Sequence, residues 1–291
     1  MSTLSWPYEG ARPLAGPCFG HAGSNICLDF HGDLQRAQLV VFSDGNHHMA
    51  LEQSLQEFLA DNPATQDVFY ATTPPRIIIE ALKAGGVTLG NLRLACMPHL
   101  FISPPKVLDR LVAEGYLGQH QPLARNCGSV LLVKKDNPKS IRGLADLARD
   151  DIRLFISNPV TETASYETYA ATLLRLAAKC RFSLDLLERA DHPRLIHGAI
   201  IHHREAPQAL VDDRADCAIV FRHLALRYER VFPKLFESIQ ISAAGDPDNL
   251  VSDIHIGMVG GGGKWGRQAL DFLLSERTRR IYRHHGLHAE P

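Results

Sequence analysis

The alternation of apolar and polar positions changes period repeatedly along this chain. QLVVFS (38–43) is a short continuous apolar run bounded by turn residues, which predicts a buried strand. DGNHHMALEQSLQEFLADNP then places Met49, Leu51, Leu55, Phe58 and Leu59 on one helical face, and Asn62-Pro63 stops it. VFYATT (68–73) predicts a second strand, Pro74-Pro75 break it, and Arg76–Ala84 follows as a helix ending at Gly85-Gly86. NLRLACM (91–97) and LFIS (100–103) read as strands. Pro104-Pro105 open a third helix, since proline suits the first helical turn. Residues 38–117 thus repeat strand and helix three times, which predicts a parallel sheet with right-handed crossovers.

From Asn126 to Pro159 the chain reads strand, Asn-Pro turn, short amphipathic helix, strand and Asn-Pro again. Further strands are expected near 195–201 and 216–221, with helices near 141–148, 163–180 and 204–213. After them come the helical HLALRYERVF, the strands LFESIQIS and DIHIGMVG, and two short helices to residue 287. The expected organisation is an α/β protein of two lobes. Residues 1–37 form an N-terminal arm, 38–122 and 223–291 the first lobe, and 123–222 the second, with two crossings acting as a hinge. In such sheets ligands bind at the carboxyl ends of the strands.

Composition narrows the function classes. The chain has 291 residues, 45% hydrophobic and 22% charged, with a net charge of −1. That balance argues against nucleic-acid partners, and no apolar run is long enough for membrane insertion. The first 23 residues lack a basic start followed by an apolar core, so the sequence as written reads as cytoplasmic, and as periplasmic only with an export signal supplied. LAGPC (14–18) lacks the preceding hydrophobic stretch of a lipoprotein site. Cys96, Cys127, Cys180 and Cys217 sit in or beside apolar patterns and read as buried free thiols. No cofactor is indicated.

FISPPKVLDRLVAEGYL (101–117), GSVLLVKKDNPKSIRGLADL (128–147), FISNP (155–159), ADCAIVF (215–221) and ALDFLLSERTRRIYRHHGL (269–287) carry a family likeness over roughly 38–287. The chain resembles the type II periplasmic solute-binding proteins, nearest the molybdate/tungstate and sulfate binders. The resemblance implies lobes that are each a mainly parallel sheet flanked by helices, a small-molecule or inorganic anion in the crevice, and an ABC transporter permease as partner. By segment matching it places contacts near Asn46, Thr72 and Thr73, Ala164, His203 and Phe221. This chain departs from its relatives at three of these. Ser43-Asp44-Gly45-Asn46-His47-His48 replaces a Ser after an Ala run, Thr161–Ser165 followed by Tyr166 replaces a Pro-Ala-Gly loop, and Phe221 stands where a Tyr hydroxyl is expected.

Residue chemistry points to the same turns. His202-His203-Arg204 follows an apolar run and opens a helix, whose unpaired N–H groups and partial positive charge suit an anion. Its bland reading is a solvated turn. Ser43, Asp44, Asn46 and His47 occupy the corresponding turn of the first lobe, where capping alone would account for Asp44 or Asn46. Thr72 and Thr73 end a strand and offer hydroxyls to an oxyanion or carboxylate. Arg125 and Asn126 lie at the first crossing and either line the crevice or brace the hinge. Two further readings follow from the histidines. One is a cytoplasmic enzyme on the same fold with His47, His48, His202 and His203 in acid–base roles. The other is a transition-metal binder. Cys18, His21, Cys27 and His31 are zinc-capable in type but match no standard spacing. Gly260–Gly263 lack the Gly-Lys-Ser/Thr ending of a phosphate loop.

Overall fold

Strand-forming runs and helical stripes assemble into two units in the computed structural model, which describes residues 30–289 except 35, 90, 91, 190 and 200. The N-terminal arm up to residue 29, and with it Cys18, His21 and Cys27, lies outside the described residues.

The first unit comprises residues 30–125 and 253–289. Its sheet contains β1 (Phe30–His31), β2 (Ala37–Ser43), β3 (Asp67–Thr72), β6 (Leu100–Ser103), β7 (Leu117–Arg125) and β13 (Asp253–Val259), in the order β1-β3-β2-β6-β13-β7. β3, β2 and β6 run parallel, while β1, β13 and β7 add antiparallel. Helices α1 (His48–Asp61), α2 (Pro75–Ala84), α3 (Pro105–Ala113), α7 (Gly266–Leu273) and α8 (Glu276–His284) belong to this unit. Two apolar clusters form its core. Leu51, Leu55 and Phe58 of α1 pack with Leu270, Leu273 and Tyr282, and Ile78 and Leu82 of α2 pack with Phe42, Phe69 and Phe101. The run read as a strand at 91–97 forms β5 (Leu92–Ala95), which pairs with β4 (Gly86–Leu89) as a separate two-stranded ribbon.

The second unit, 126–252, holds a five-stranded sheet of β8 (Ser129–Lys134), β9 (Leu154–Ile156), β10 (Leu195–His197), β11 (Cys217–Phe221) and β12 (Phe236–Gln240). Their order is β10-β9-β11-β8-β12. β10, β9 and β11 are parallel, and β8 and β12 are antiparallel. Around it lie α4 (Thr163–Lys179), α5 (His202–Val211) and α6 (Arg222–Val231). Both sheets contain three neighbouring parallel strands, in the middle of the first sheet and along one side of the second, with antiparallel strands added beside them.

The lobe boundaries differ from the expected ones at the return of the chain. The expected return at residue 223 puts α6 and β12 in the first lobe, but β12 pairs with β8 along five residues, from Phe236 opposite Lys134 to Gln240 opposite Val130. The crossings fall at 125–126 and 252–253. There Arg125 N–H donates to the His288 carbonyl, Arg125 pairs with Asp253 at 2.5 Å, and Asn126 N–H donates to the Ser252 carbonyl at 3.1 Å.

Gly257 marks a close approach inside β13. A methyl group there would lie 2.9 Å from the Gln119 carbonyl oxygen and 3.1 Å from a Leu117 methyl. Gly257→Ala should therefore cost about 1–3 kcal/mol by overpacking, measured by urea unfolding. A neutral result would mean that β7 yields freely at this point.

Candidate functional site

The parallel strands of each unit end in turns that lead into helices or 3-10 turns, and the chemistry-bearing residues gather there. In the first unit β2 runs into Ser43, Asp44 and a 3-10 turn at Gly45–His47. Asp44 Oδ1 accepts from the Asn46 N–H at 3.2 Å, so Asp44 does cap the turn. Its carboxyl is buried, and burial lifts its pKa to about 6, partly offset by the Asn46 N–H. Thr73 N–H donates to the Ser43 carbonyl at 3.1 Å, which ties the ends of β2 and β3 together. Thr72 Oγ1 lies 3.1 Å from His31 Nε2. The side chains of Ser43, Asp44, His47, Thr72 and Thr73 are all buried at this edge, and Asn46 is half-buried.

A chain of hydrogen bonds fixes His47. Ser43 Oγ donates its only hydrogen to the Asp44 carbonyl at 2.9 Å, so it accepts from His47 Nε2 at 3.0 Å. His47 Nδ1 then accepts from the Tyr282 hydroxyl at 2.9 Å. Ser43 and His47 brace α8 against the turn, and the orientation leaves Ser43 without a base to remove its proton.

In the second unit the ends of β9, β10 and β11 and the start of β8 share one edge. Ser129 pairs with Phe221, and His197 pairs with Ile156, which sets Gly198 next to Ser157. Asn158 stitches the loops: its Oδ1 accepts from Val160 and Thr161 N–H, and its Nδ2 donates to the Gly198 carbonyl at 3.0 Å. Thr161 is exposed, with its hydroxyl 3.4 Å from the Ala199 carbonyl. Ala164 is exposed on the first turn of α4, and Tyr166 is tilted against the His197 ring.

At the start of α5 the structure differs from expectation. Several N–H groups there are taken by the chain's own acids. Glu205 accepts from Ala199 N–H at 2.6 Å and Ile201 N–H at 2.8 Å, and Glu162 accepts from His202 N–H at 2.7 Å. Burial lifts the Glu162 carboxyl to about 7; the His202 N–H pulls it back and Glu205 pushes it further up. His202 is buried, stacked on Phe155 at 5.4 Å and flanked by Tyr169 at 5.2 Å. Burial presses its pKa down to about 3. His203 is held well below the ordinary histidine range by burial first, then by Arg204, His202, Arg227 and His223 around it. Phe221 packs against Tyr169 and His223. The nearby Tyr228 hydroxyl donates to the His203 carbonyl, so it does not replace the hydroxyl that Phe221 lacks.

Of the residues singled out in the sequence, Ser43, Asp44, Asn46, His47, Thr72 and Thr73 share one edge. His202, His203, Arg204 and Phe221 share another. Arg125 stands apart in its ion pair with Asp253, and Asn126 accepts from the Gly128 N–H in a turn. Sequence reasoning missed Ser103, Ser129, Ser157, Glu162 and Arg227. The hydroxyls of Ser103, Ser129 and Ser157 are buried without a hydrogen-bond partner. A signal for two of them was present, since Leu-Phe-Ile-Ser occurs at both 100–103 and 154–157, each time at a strand end. Among the described residues no group of three or more His, Cys, Asp or Glu is placed to hold a metal, and no helix is long and apolar enough to cross a membrane. A cavity of about 330 Å³ in the first unit is lined by Gln119, Gln121, Met258, Arg267 and Leu270, away from the strand-end turns.

Solved structures share this fold. The periplasmic molybdate-binding protein of Azotobacter vinelandii matches with a TM-score of 0.60 at 15% identity, covering 87% of this chain and 100% of its own. The sulfate-binding protein SubI of Mycobacterium tuberculosis matches with a TM-score of 0.60 at 16% identity, covering 86% of each. Iron-bound HitA of Pseudomonas aeruginosa matches with a TM-score of 0.56 at 15% identity, covering 87% and 88%. No curated protein matches by sequence. Residues 39–288 match the family of bacterial extracellular solute-binding proteins, and the chain belongs to that family of binding proteins rather than to an enzyme family.

Proposed function

We propose that this solute-binding protein takes a small anionic ligand at the strand-end turns of its second unit and delivers it to an ABC transporter permease outside the cytoplasm. The observation that carries the reading is the pair of guanidinium groups beside His203, those of Arg204 and Arg227. In a buried setting such a group favours negative charge far more than it would in water. The partnerless hydroxyls of Ser129 and Ser157, in the same unit, add hydrogen-bond donors suited to anionic oxygens. Molybdate and sulfate binding by proteins of the same fold supports the class of ligand.

Thermal unfolding with molybdate, tungstate, sulfate, phosphate and small carboxylates tests this directly. An anion at a hundred times its Kd adds about 2.7 kcal/mol to the folded state, so a dose-dependent rise in Tm is expected. Replacing Arg204 and Arg227 together by Met should weaken that anion by about 100-fold, the scale of two charged contacts. A rise with zinc or copper and with none of the anions would sink the proposal.

A further inference from the structure

His202 holds its acceptor atom in an unusual position. Its ring is hydrogen-bonded to the Phe155 backbone, while Nε2 is buried and has no partner. The bond to Phe155 raises the basicity of the ring, so it is a ring N–H donating to the carbonyl. The proton therefore sits on Nδ1, and Nε2 presents a lone pair. Burial keeps the ring neutral, which holds that assignment through the physiological pH range. Phe155 stacks on one side at 5.4 Å and Tyr169 closes another at 5.2 Å, which fixes the ring plane. Two further partnerless buried groups, Ser129 Oγ and Ser157 Oγ, lie at the same end of the sheet. A buried acceptor without a donor is costly and usually signals a group that something else satisfies.

The three groups differ in what they accept. A serine hydroxyl can turn its hydrogen toward an anionic oxygen. Neutral His202 Nε2 can only accept, so a bare oxyanion oxygen would meet it lone pair to lone pair. Resting on the anion reading above, we infer that His202 is a specificity-determining residue that selects an anion carrying its own hydrogen-bond donor, such as a 2-hydroxy carboxylate or a monohydrogen phosphate, over fully deprotonated sulfate, molybdate or tungstate. The hydroxyl of such a ligand donates to Nε2, while Ser129 and Ser157 serve its charged oxygens. The basic groups around His203 supply the charge, and His202 supplies the discrimination.

Calorimetric titration of the whole protein at pH 8 with two matched pairs tests this: lactate against propionate, and phosphate against sulfate. Each pair differs in one donor. The donor-bearing member should bind about tenfold tighter or more, the usual penalty for leaving a buried polar group unpaired. In His202→Phe, which keeps a stacked ring and lacks the acceptor, the ratio within each pair should fall to about one. Equal binding within both pairs by the unsubstituted protein overturns the inference and leaves the anion reading standing. So does a ratio that His202→Phe leaves unchanged. Binding by none of the four, nor by molybdate or tungstate, overturns both. The unsubstituted protein alone decides the first point, so the test survives a variant that fails to fold.

Discussion

Asp44→Asn should stabilise the protein by about 2–3 kcal/mol at pH 8, since a shift of one pKa unit corresponds to about 1.4 kcal/mol. The Asp44 pKa rises from an ordinary 3.8 to about 6, chiefly through burial. Between those values the unfolded chain has released the proton and the folded chain has kept it. Stability therefore falls as pH rises from about 4 to 6, and the whole cost is present above that window. Asparagine keeps the Oδ1 acceptor that caps Asn46 and removes the charge that burial penalises. The groups facing Asp44 are His47, at 3.9 Å, and Tyr282, whose own hydroxyl is pushed up by burial and by Asp44. At pH 4 the gain should shrink to well under about 1 kcal/mol, because that pH lies at the bottom of the window, where the folded carboxyl is neutral and the unfolded one has only begun to lose its proton. Urea unfolding at the two pH values reads the difference directly. An equal gain at both would show that the stabilisation comes from packing and not from charge.

The elements legible in the sequence are those whose pattern is local. α1, α2, α3 and α4 follow from apolar stripes punctuated by Pro, Asn-Pro or Gly, and β2, β3, β8 and β11 follow from continuous apolar runs. β7 was not legible. LGQHQPLAR exposes Gln119, Gln121 and Pro122 because it is an edge strand, so it lacks the alternation of a half-buried one. The partner of β12 was not legible either, since FESIQ carries the same pattern whichever sheet receives it. Ser43, Asp44 and His202 could be picked out because strand-to-helix turns are visible in the pattern. What those residues do there was not visible. His47 is fixed by Tyr282, which is 235 positions away, and the start of α5 is occupied by Glu162 from α4. Such pairings are created by the tertiary fold, and the most consequential of them converts an expected open helix start into one filled by carboxylates.

Tyr169→Ala should be the most destabilising of these changes, at about 3–5 kcal/mol for removal of a buried aromatic side chain. Tyr169 is 1% exposed and lies on α4, where its ring contacts His202 at 5.2 Å and Phe221 at 4.8 Å. Its hydroxyl also accepts from the Phe221 backbone N–H. Tyr169→Phe removes only that last interaction and should cost about 1–3 kcal/mol, the penalty of one unpaired buried group. Urea unfolding separates the two, and a cost below 1 kcal/mol for the alanine variant would mean that the second unit repacks around the gap. The alanine variant has a second consequence. Without the Tyr169 ring, water reaches His202, whose pKa of about 3 is set by burial. That pKa should rise toward the ordinary 6.5, as read by NMR titration of the imidazole carbons. A protonated His202 has no lone pair on Nε2, so below that pKa its preference for hydrogen-bond donors should reverse toward bare oxyanions. The same phenol ring thus holds the second unit together and keeps its histidine an acceptor.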